Sequence, residues 1–376
     1  MGLLSVDTVR TPGAVRVDES YYTIGNIYLW DADADTGASH TGVVTPQVSL
    51  SRWSAYLMAK VPLTERFDFV GGFRYQPMLV KMQSRKKDDP HFNGRFRKDF
   101  WPFSLALNYD FTENMALRLA YGKTFSLPVF REMAPFASYD PAHGDWYLGN
   151  ADLKYTSVDN VDIRWEWFPH PGEVVSLGGY YKYLYHPIVV AAIPGGVNNE
   201  KTWLNATEGQ LYGVELEIRK ELDFVHKALK GLWLGGNLTL THSGVTLDSL
   251  KEALLRENTS NPDLEPPLIN ASPYVINAYM IYDNERLGLS AGVFFNIFGK
   301  RRVFQTGDFT PDVYENPRPE LNLTCSKDIA MVAVKLSGKN LLDPVHSEGH
   351  RFKDGMFERS SYRKGRSYSL SLSFSL

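Results

Sequence analysis

The end of the chain carries the plainest pattern. Tyr368, Leu370, Leu372, Phe374 and Leu376 alternate with Ser369, Ser371, Ser373 and Ser375. A period of two predicts a β-strand with one apolar face and one small polar face. Such a strand suits a soluble sandwich, and it suits equally a membrane barrel whose apolar face meets lipid. Repetition of the pattern, and the lengths of its connections, separate the two.

The pattern repeats along the chain. Trp53, Ala55, Leu57, Ala59 and Val61 share one face. After a short turn, Phe67, Phe69, Gly71, Phe73 and Tyr75 alternate with Asp68, Val70, Gly72 and Arg74. A polar stretch, 83–98, precedes Trp101, Phe103, Leu105, Leu107, Tyr109 and Phe111. A tight turn leads to Met115, Leu117, Leu119 and Tyr121, with Arg118 on the other face. Beyond a long segment, 126–157, Val161, Ile163, Trp165 and Trp167 alternate with Asp162, Arg164 and Glu166. Tyr212, Val214, Leu216 and Ile218 oppose Glu215, Glu217 and Arg219. Hairpins over 274–298 and 321–336 precede the final loop and last strand. A short helix is expected at 248–256, and a single helical turn within 221–230.

Roughly thirteen strands of about ten residues result, the length a tilted membrane strand needs. Their connections alternate short and long, about six of each, as outer-membrane barrels alternate periplasmic turns with external loops. A sandwich has no reason to keep that parity. The fold class expected is therefore all-β, an antiparallel transmembrane β-barrel. The last strand follows a long loop, so it runs inward.

Composition narrows the function. Apolar content of 43% and charged content of 22% exclude a disordered chain. A net charge of -3 gives no pull toward nucleic acid, and 13% aromatics fit an all-β or interfacial protein. No apolar run approaches the roughly 18 residues of a membrane helix, so a barrel is the remaining way to span a bilayer. The lone Cys325, in line with Leu321 and Leu323, reads as a small hydrophobe; internal disulfides and cysteine-rich metal sites are excluded. Residues 1–20 show no secretory-signal pattern.

Residues 1–46 form a poorly defined segment with a partial strand at 21–30, ahead of a barrel portion at 47–376. Asp31, Asp33 and Asp35 are spaced like the start of a calcium loop. Thr36 and Gly42 stand where such a loop wants glycine and glutamate, so a solvated loop is the better reading. His91, His143, His170 and His226 are scattered through loops and turns. With no catalytic constellation and no phosphate-cradling loop, neither an enzyme nor a cofactor is expected.

Energetics assigns the faces. An Arg on the lipid side at the bilayer midplane costs roughly 2–4 kcal/mol. Arg118, Arg164, Glu166, Glu215, Glu217 and Arg219 are therefore expected to face the lumen, pairing across strands or lining a path. Trp165, Trp167, Trp233 and Tyr282 lie beside short turns, where a periplasmic aromatic girdle belongs.

Several short motifs, in order, resemble one family. They are Gly122-Lys123-Thr124 leading to Leu127-Pro128, the run Phe130 to Phe136, Gly149-Asn150-Ala151-Asp152-Leu153 and Glu166-Trp167-Phe168-Pro169. Gly213-Val214-Glu215-Leu216-Glu217, Tyr314-Glu315-Asn316-Pro317-Arg318 and Lys339-Asn340-Leu341-Leu342-Asp343 continue the series. From about residue 51 onward this is similar to the barrel of TonB-dependent outer-membrane receptors of Gram-negative bacteria. The resemblance implies uptake of a scarce nutrient of the siderophore, cobalamin or glycan class, energised by the TonB complex through a plug domain.

The departures are informative too. The family carries an N-terminal plug and about 22 strands, and neither the plug nor the first strands are visible. It usually ends in an aromatic residue, whereas Leu376 stands here with Phe374 two positions earlier. The expected partners are thus outer-membrane lipid, a missing N-terminal plug and barrel strands, TonB through that plug, and a small-molecule or glycan ligand. A C-terminal piece of a larger receptor is the reading these features support. Open edges in hydrocarbon cost several kcal/mol per unpaired group, so such a piece is not expected to insert as an open sheet. Phe136, Tyr139, Trp146 and Tyr147, in the long loop after Thr124, are the ligand-contact candidates, because external aromatics stack on ligands. A passive outer-membrane porin and a soluble glycan-binding β-sandwich are the alternatives.

Overall fold

The computed structural model describes residues 28–29, 42–43, 47–83, 94–133, 137–140, 144–193, 200–246, 265–306, 312–329, 331–352 and 355–374. Asp31, Asp33, Asp35 and the helix expected at 248–256 lie outside the described residues. In order, β1 (Tyr28–Leu29) and β2 (Gly42–Val43) pair with each other. Next come β3 (Gln47–Arg52), β4 (Ala55–Thr64), β5 (Phe67–Gln83), β6 (Gly94–Phe100), β7 (Phe103–Thr112) and β8 (Met115–Ser126). A helical turn, α1 (Phe130–Met133), precedes β9 (Ala137–Asp140) and β10 (Asp145–Leu148). Then follow β11 (Thr156–Trp167), β12 (Val174–Tyr185), β13 (Ile188–Ala192), β14 (Glu200–Asn205), β15 (Glu208–Glu221) and β16 (Leu232–Val245). The chain continues with β17 (Tyr274–Asn284), β18 (Leu289–Phe298), β19 (Arg301–Phe304), β20 (Val313–Glu315) and β21 (Glu320–Ile329). Last are β22 (Val332–Lys339), β23 (His346–Phe352), β24 (Gly355–Tyr362) and β25 (Ser367–Phe374).

One fifteen-stranded antiparallel sheet dominates, and its neighbours follow chain order from β3 and β4 to β25. The long β5 pairs with β3 and β6 over its far half, and with β4 and β7 over its near half. Thus β3–β4 and β6–β7 are two strands, each broken once, and thirteen positions stand side by side. The polar stretch expected as loop at 83–98 is shorter than periodicity suggested. Its ends are extensions of β5 and β6 beyond the apolar band.

Directly paired residues share a face, so register carries alternation from strand to strand. From Val61 one row runs through Phe69, Leu107, Leu119, Ile163, Gly179, Val214, Leu240 and Tyr274. It is apolar throughout. Ile163 and Leu240 are each 50% exposed, which a water-facing sheet would not favour and hydrocarbon would. On the opposite face a row runs Asp110, Ala116, Glu166, Ser176, Glu217, Asn237, Asn277, Asn296 and Glu320. Its three asparagines form an amide ladder, Asn277 donating to Asn237 at 2.8 Å and Asn296 to Asn277 at 2.6 Å.

Tyrosine rings also fill the polar face. Tyr180 lies over Gly213, where an added Cβ would meet its hydroxyl oxygen at 2.5 Å, and its hydroxyl reaches Thr241 Oγ1 at 2.6 Å. Register places Trp165, Trp167 and Tyr282 on the apolar face beside short turns, as expected of a girdle. Trp233 is the exception. It is paired with Glu221 and Ile281, on the polar-face parity, and its ring covers the turn at Gly172. A residue beside a turn can pack over that turn from within, which proximity in sequence does not reveal.

Short connections close at one rim. One is the three-residue turn Glu285–Leu287, where the Asn284 side chain accepts from the Leu287 N–H and Gly288 takes φ +54°. The helical turn expected within 221–230 is two such turns, Leu222–Phe224 and Lys227–Leu229. Long connections gather at the other rim. Because β4 leads into a short turn and β25 follows a long loop, both run the same way across the sheet. Among the described residues, β25 pairs with β22, and β3 and β4 pair with β5.

The two faces predict unequal tolerance of charge. Ile163→Arg should destabilise the membrane-inserted protein by about 2–4 kcal/mol. Asp162→Arg, the next residue along, should change stability by less than about 0.5 kcal/mol. Urea unfolding in bilayers, followed by heat-modifiable electrophoretic mobility, measures both.

Candidate functional site

Among the described residues, four of the long connections carry strands of their own. The connection after β8 carries α1, β9 and β10, and that after β12 carries β13 and β14. β10 runs parallel to β14, so the two loops build one four-stranded sheet, β13-β14-β10-β9. The connections after β18 and β22 build a second, β19-β20-β23-β24. The two sheets meet where Ala192 N–H donates to the Gln305 carbonyl at 2.9 Å and Gln305 N–H donates to Val190 at 3.0 Å. Beneath the first sheet Met78, Val80, Phe100, Met133, Leu153 and Trp203 form a buried apolar core. The far ends of β5 and β6 reach into it, which explains their extra length.

At the centre of this cap is a buried ionic cluster. Asp145, 1% exposed, accepts from Lys201 Nζ at 2.6 Å and from the Arg359 guanidinium. Lys201 Nζ also stands 3.6 Å from the centre of the Phe304 ring, with the Arg359 guanidinium over the same ring at 5.3 Å. These four residues come from four different long loops. Burial holds the Lys201 ammonium below its usual pKa, and its bond to Asp145 opposes that shift. Tyr147 lies alongside. Burial, then the Asp145 and Asp140 carboxylates, push its phenol up to about 12. Arg131 lies over the Tyr147 and Trp203 rings at 4.7 and 5.8 Å and donates to Ser138 Oγ at 2.9 Å.

The aromatic candidates divide between two faces. Tyr139 and Trp146 are directly paired, with ring centres 5.1 Å apart, and Tyr139 is 52% exposed. Leu148 and Leu204 follow on that face and are also exposed. Tyr147 points the other way, its ring 5.1 Å from Trp203 against the buried core. Phe136 lies outside the described residues. The charged candidates fall on the polar face of the wall. Arg118 Nε binds Glu166 at 2.7 Å, and Arg164 bridges Glu166 at 2.9 Å to Glu217 at 2.7 Å. Glu215 shares that face in register with Gly178, and Arg219 donates to the Gly172 carbonyl at the neighbouring turn. Sequence reasoning missed Asp145, Lys201, Phe304 and Arg359. Asp145 and Arg359 are 214 positions apart, so no local spacing marks them.

A single-layer antiparallel wall, apolar on one face and polar on the other, with short turns at one rim and a folded cap at the other, defines an outer-membrane β-barrel wall. A family model described as TonB dependent receptor-like, beta-barrel, matches residues 7–323. The chain belongs to that family, whose members are outer-membrane proteins of Gram-negative bacteria. Among solved structures, the copper transporter OprC superposes with a TM-score of 0.63 at 15% identity, over 88% of this chain and 48% of that one. The ferric-catecholate import receptor Fiu from E. coli K12 gives 0.61 at 12% identity, over 89% and 46%. The FrpB iron transporter from Neisseria meningitidis gives 0.55 at 13%, over 87% and 44%. At these identities the likeness is one of fold, and the chain spans about half the length of each. No curated protein matches the chain.

Two tests address the cap. Asp145→Asn leaves the buried Lys201 without its carboxylate, while the partly exposed Arg359 keeps Glu348 at 3.9 Å; it should cost about 3–5 kcal/mol, read as faster amide exchange across 137–140, 144–148 and 355–362. A raised phenol pKa stabilises the folded form fully below pH 10, and that contribution is lost as pH climbs toward about 12. Wild type should therefore lose cap stability relative to Tyr147→Phe only above pH 10. A gap that shrinks already near pH 8 would contradict this.

Proposed function

We propose that residues 47–376 are the C-terminal wall and cap of a receptor that imports a scarce nutrient across the outer membrane. A plug and the TonB complex would energise release on the inner side. The observation that carries this reading is the cap. Four long loops fold together over one rim of a two-faced wall, as a receptor that must hold a ligand outside the cell requires. A passive pore gains nothing from an ordered cover. The polar face, with Arg118, Arg164, Glu166, Glu215, Glu217 and Arg219, lines the lumen in this reading, and residues 1–46 precede the wall.

The edges support the same reading. β4 and β25 run in the same direction, so pairing them with each other would make a parallel seam in an antiparallel wall. An odd number of further strands restores the alternation, and nine would give the roughly 22 of the large outer-membrane transporters. The proposed ligand is a metal chelate, in line with the copper and iron named for the structural neighbours. The Tyr139–Trp146 pair, with Tyr139 exposed and Trp146 half-buried, offers it an aromatic contact surface flanked by the exposed Leu148 and Leu204.

Labelled ferric or cupric chelate uptake by cells carrying the receptor should stop when the proton gradient is collapsed or TonB is removed. Flux that persists would favour the porin. Tyr139→Ala and Trp146→Ala should each weaken ligand binding about tenfold, which is about 1.4 kcal/mol, without changing folded yield. Tyr147→Ala should instead lower cap stability.

A further inference from the structure

One sizeable concavity is in neither the cap nor the polar face. It is a groove of about 710 Å³ along the apolar face of the wall. It begins at Leu232, the first residue of β16, and crosses six neighbouring strands to Tyr368, near the start of β25. Ala291, Cys325 and Gly338 give it a floor of small groups, while Met280, Tyr282, Leu336 and Leu370 stand as walls. Five strand spacings make the groove about 24 Å long, within the roughly 30 Å of bilayer hydrocarbon. A smooth barrel exterior presents ridges to lipid; this one presents a channel as long as one extended acyl chain.

The long-loop end of the groove is basic. Leu341 folds onto the apolar face over Gly338, where an added Cβ would touch its Cδ2 at 3.0 Å. Arg366 Nε donates to the Leu341 carbonyl at 2.9 Å, which anchors that guanidinium beside the groove mouth. Arg363 and Lys364 adjoin it, and all three side chains are exposed. Asp343 binds Arg363 at 3.9 Å, and Lys364 lines a separate small pocket with Arg318, Glu320 and His346, which leaves Arg363 and Arg366 as the cations beside the groove. Tyr368, 71% exposed, stands between the basic run and the apolar floor, as interfacial aromatics do.

We propose that this groove is a specific site for a phosphate-bearing acylated lipid of the outer leaflet. Its acyl chain lies over Ala291, Cys325 and Gly338, and its phosphate is held by Arg363 and Arg366. A bulk lipid would meet either feature alone. The site joins an acyl-length channel to a cationic mouth at the rim where an outer-leaflet phosphate lies, and charge complementarity selects the headgroup. The inference rests on the apolar face meeting lipid and is independent of the transported ligand.

Native mass spectrometry of the protein extracted from outer membranes tests it, with added bisphosphorylated lipid A against phosphatidylcholine. Lipid A should be retained at least tenfold better. Arg363→Ala with Arg366→Ala should cut that retention about tenfold, as should Ala291→Phe, which fills the floor, with heat-modifiable mobility unchanged in both. Cys325→Leu provides a milder filling should Ala291→Phe misfold. Equal retention of the two lipids by wild type, or wild-type retention in the correctly folded variants, would overturn the proposal.

Discussion

Inside hydrocarbon, each backbone N–H and C=O must find its partner on a neighbouring strand, because water is not there to supply one. Everything else in the wall follows from this. The long antiparallel ladders, such as β11 with β8 over Thr156–Trp167, leave no freedom of register. A one-residue slip would turn Ile163 and Trp165 inward and Arg164 and Glu166 toward lipid. Fixed register in turn aligns the charges on the other face, so that Arg164 reaches Glu166 and Glu217 without being sought by any local signal.

The cap solves a different problem. Above the bilayer, strands no longer need membrane length, and the loop sheets use pieces of three to eight residues. What holds them is burial of apolar groups beneath the first sheet and the cluster around Asp145. Position decides how much each ion pair matters. Arg118 is half exposed where it meets Glu166, and pairs in water contribute roughly 0–1 kcal/mol. Lys201 and Asp145 are almost fully buried, so losing one partner leaves a charge in a poor solvent. The same residue types thus wet the wall and lock the cap.

Periodicity made the wall legible. The alternation of Val161 to Trp167 against Asp162 to Glu166 gave strand, face and neighbour type at once, because a two-faced sheet writes itself into sequence with a period of two. Short and long connections gave the two rims. The cap was not legible for the converse reason. Asp145, Lys201, Phe304 and Arg359 meet only after four loops have folded over one another, and none has a partner nearby in sequence. Tyr139, Trp146 and Tyr147 were picked as a group because they are close along the chain. Strand alternation then divides them, giving Tyr147 to the core and leaving Tyr139 and Trp146 outside. Trp233 shows the same limit at the other rim.

Strand direction also constrains how the wall can be completed. Within the receptor reading, a second copy of this chain is a poor way to cover the edges of β25 and β4. Set head to tail, each seam would join two strands of equal direction, repeating the parallel mismatch. Related by a two-fold axis normal to the sheet, the seams would be antiparallel, but one cap would then face each side of the membrane. The outer membrane does not accept that, because its loops and turns face different compartments. Strands of odd number and matching face, carried on this polypeptide or another, satisfy both direction and sidedness. The edges therefore specify their complement by geometry before any side chain is considered, and side chains such as Leu370 and Phe374 only confirm which face must continue outward.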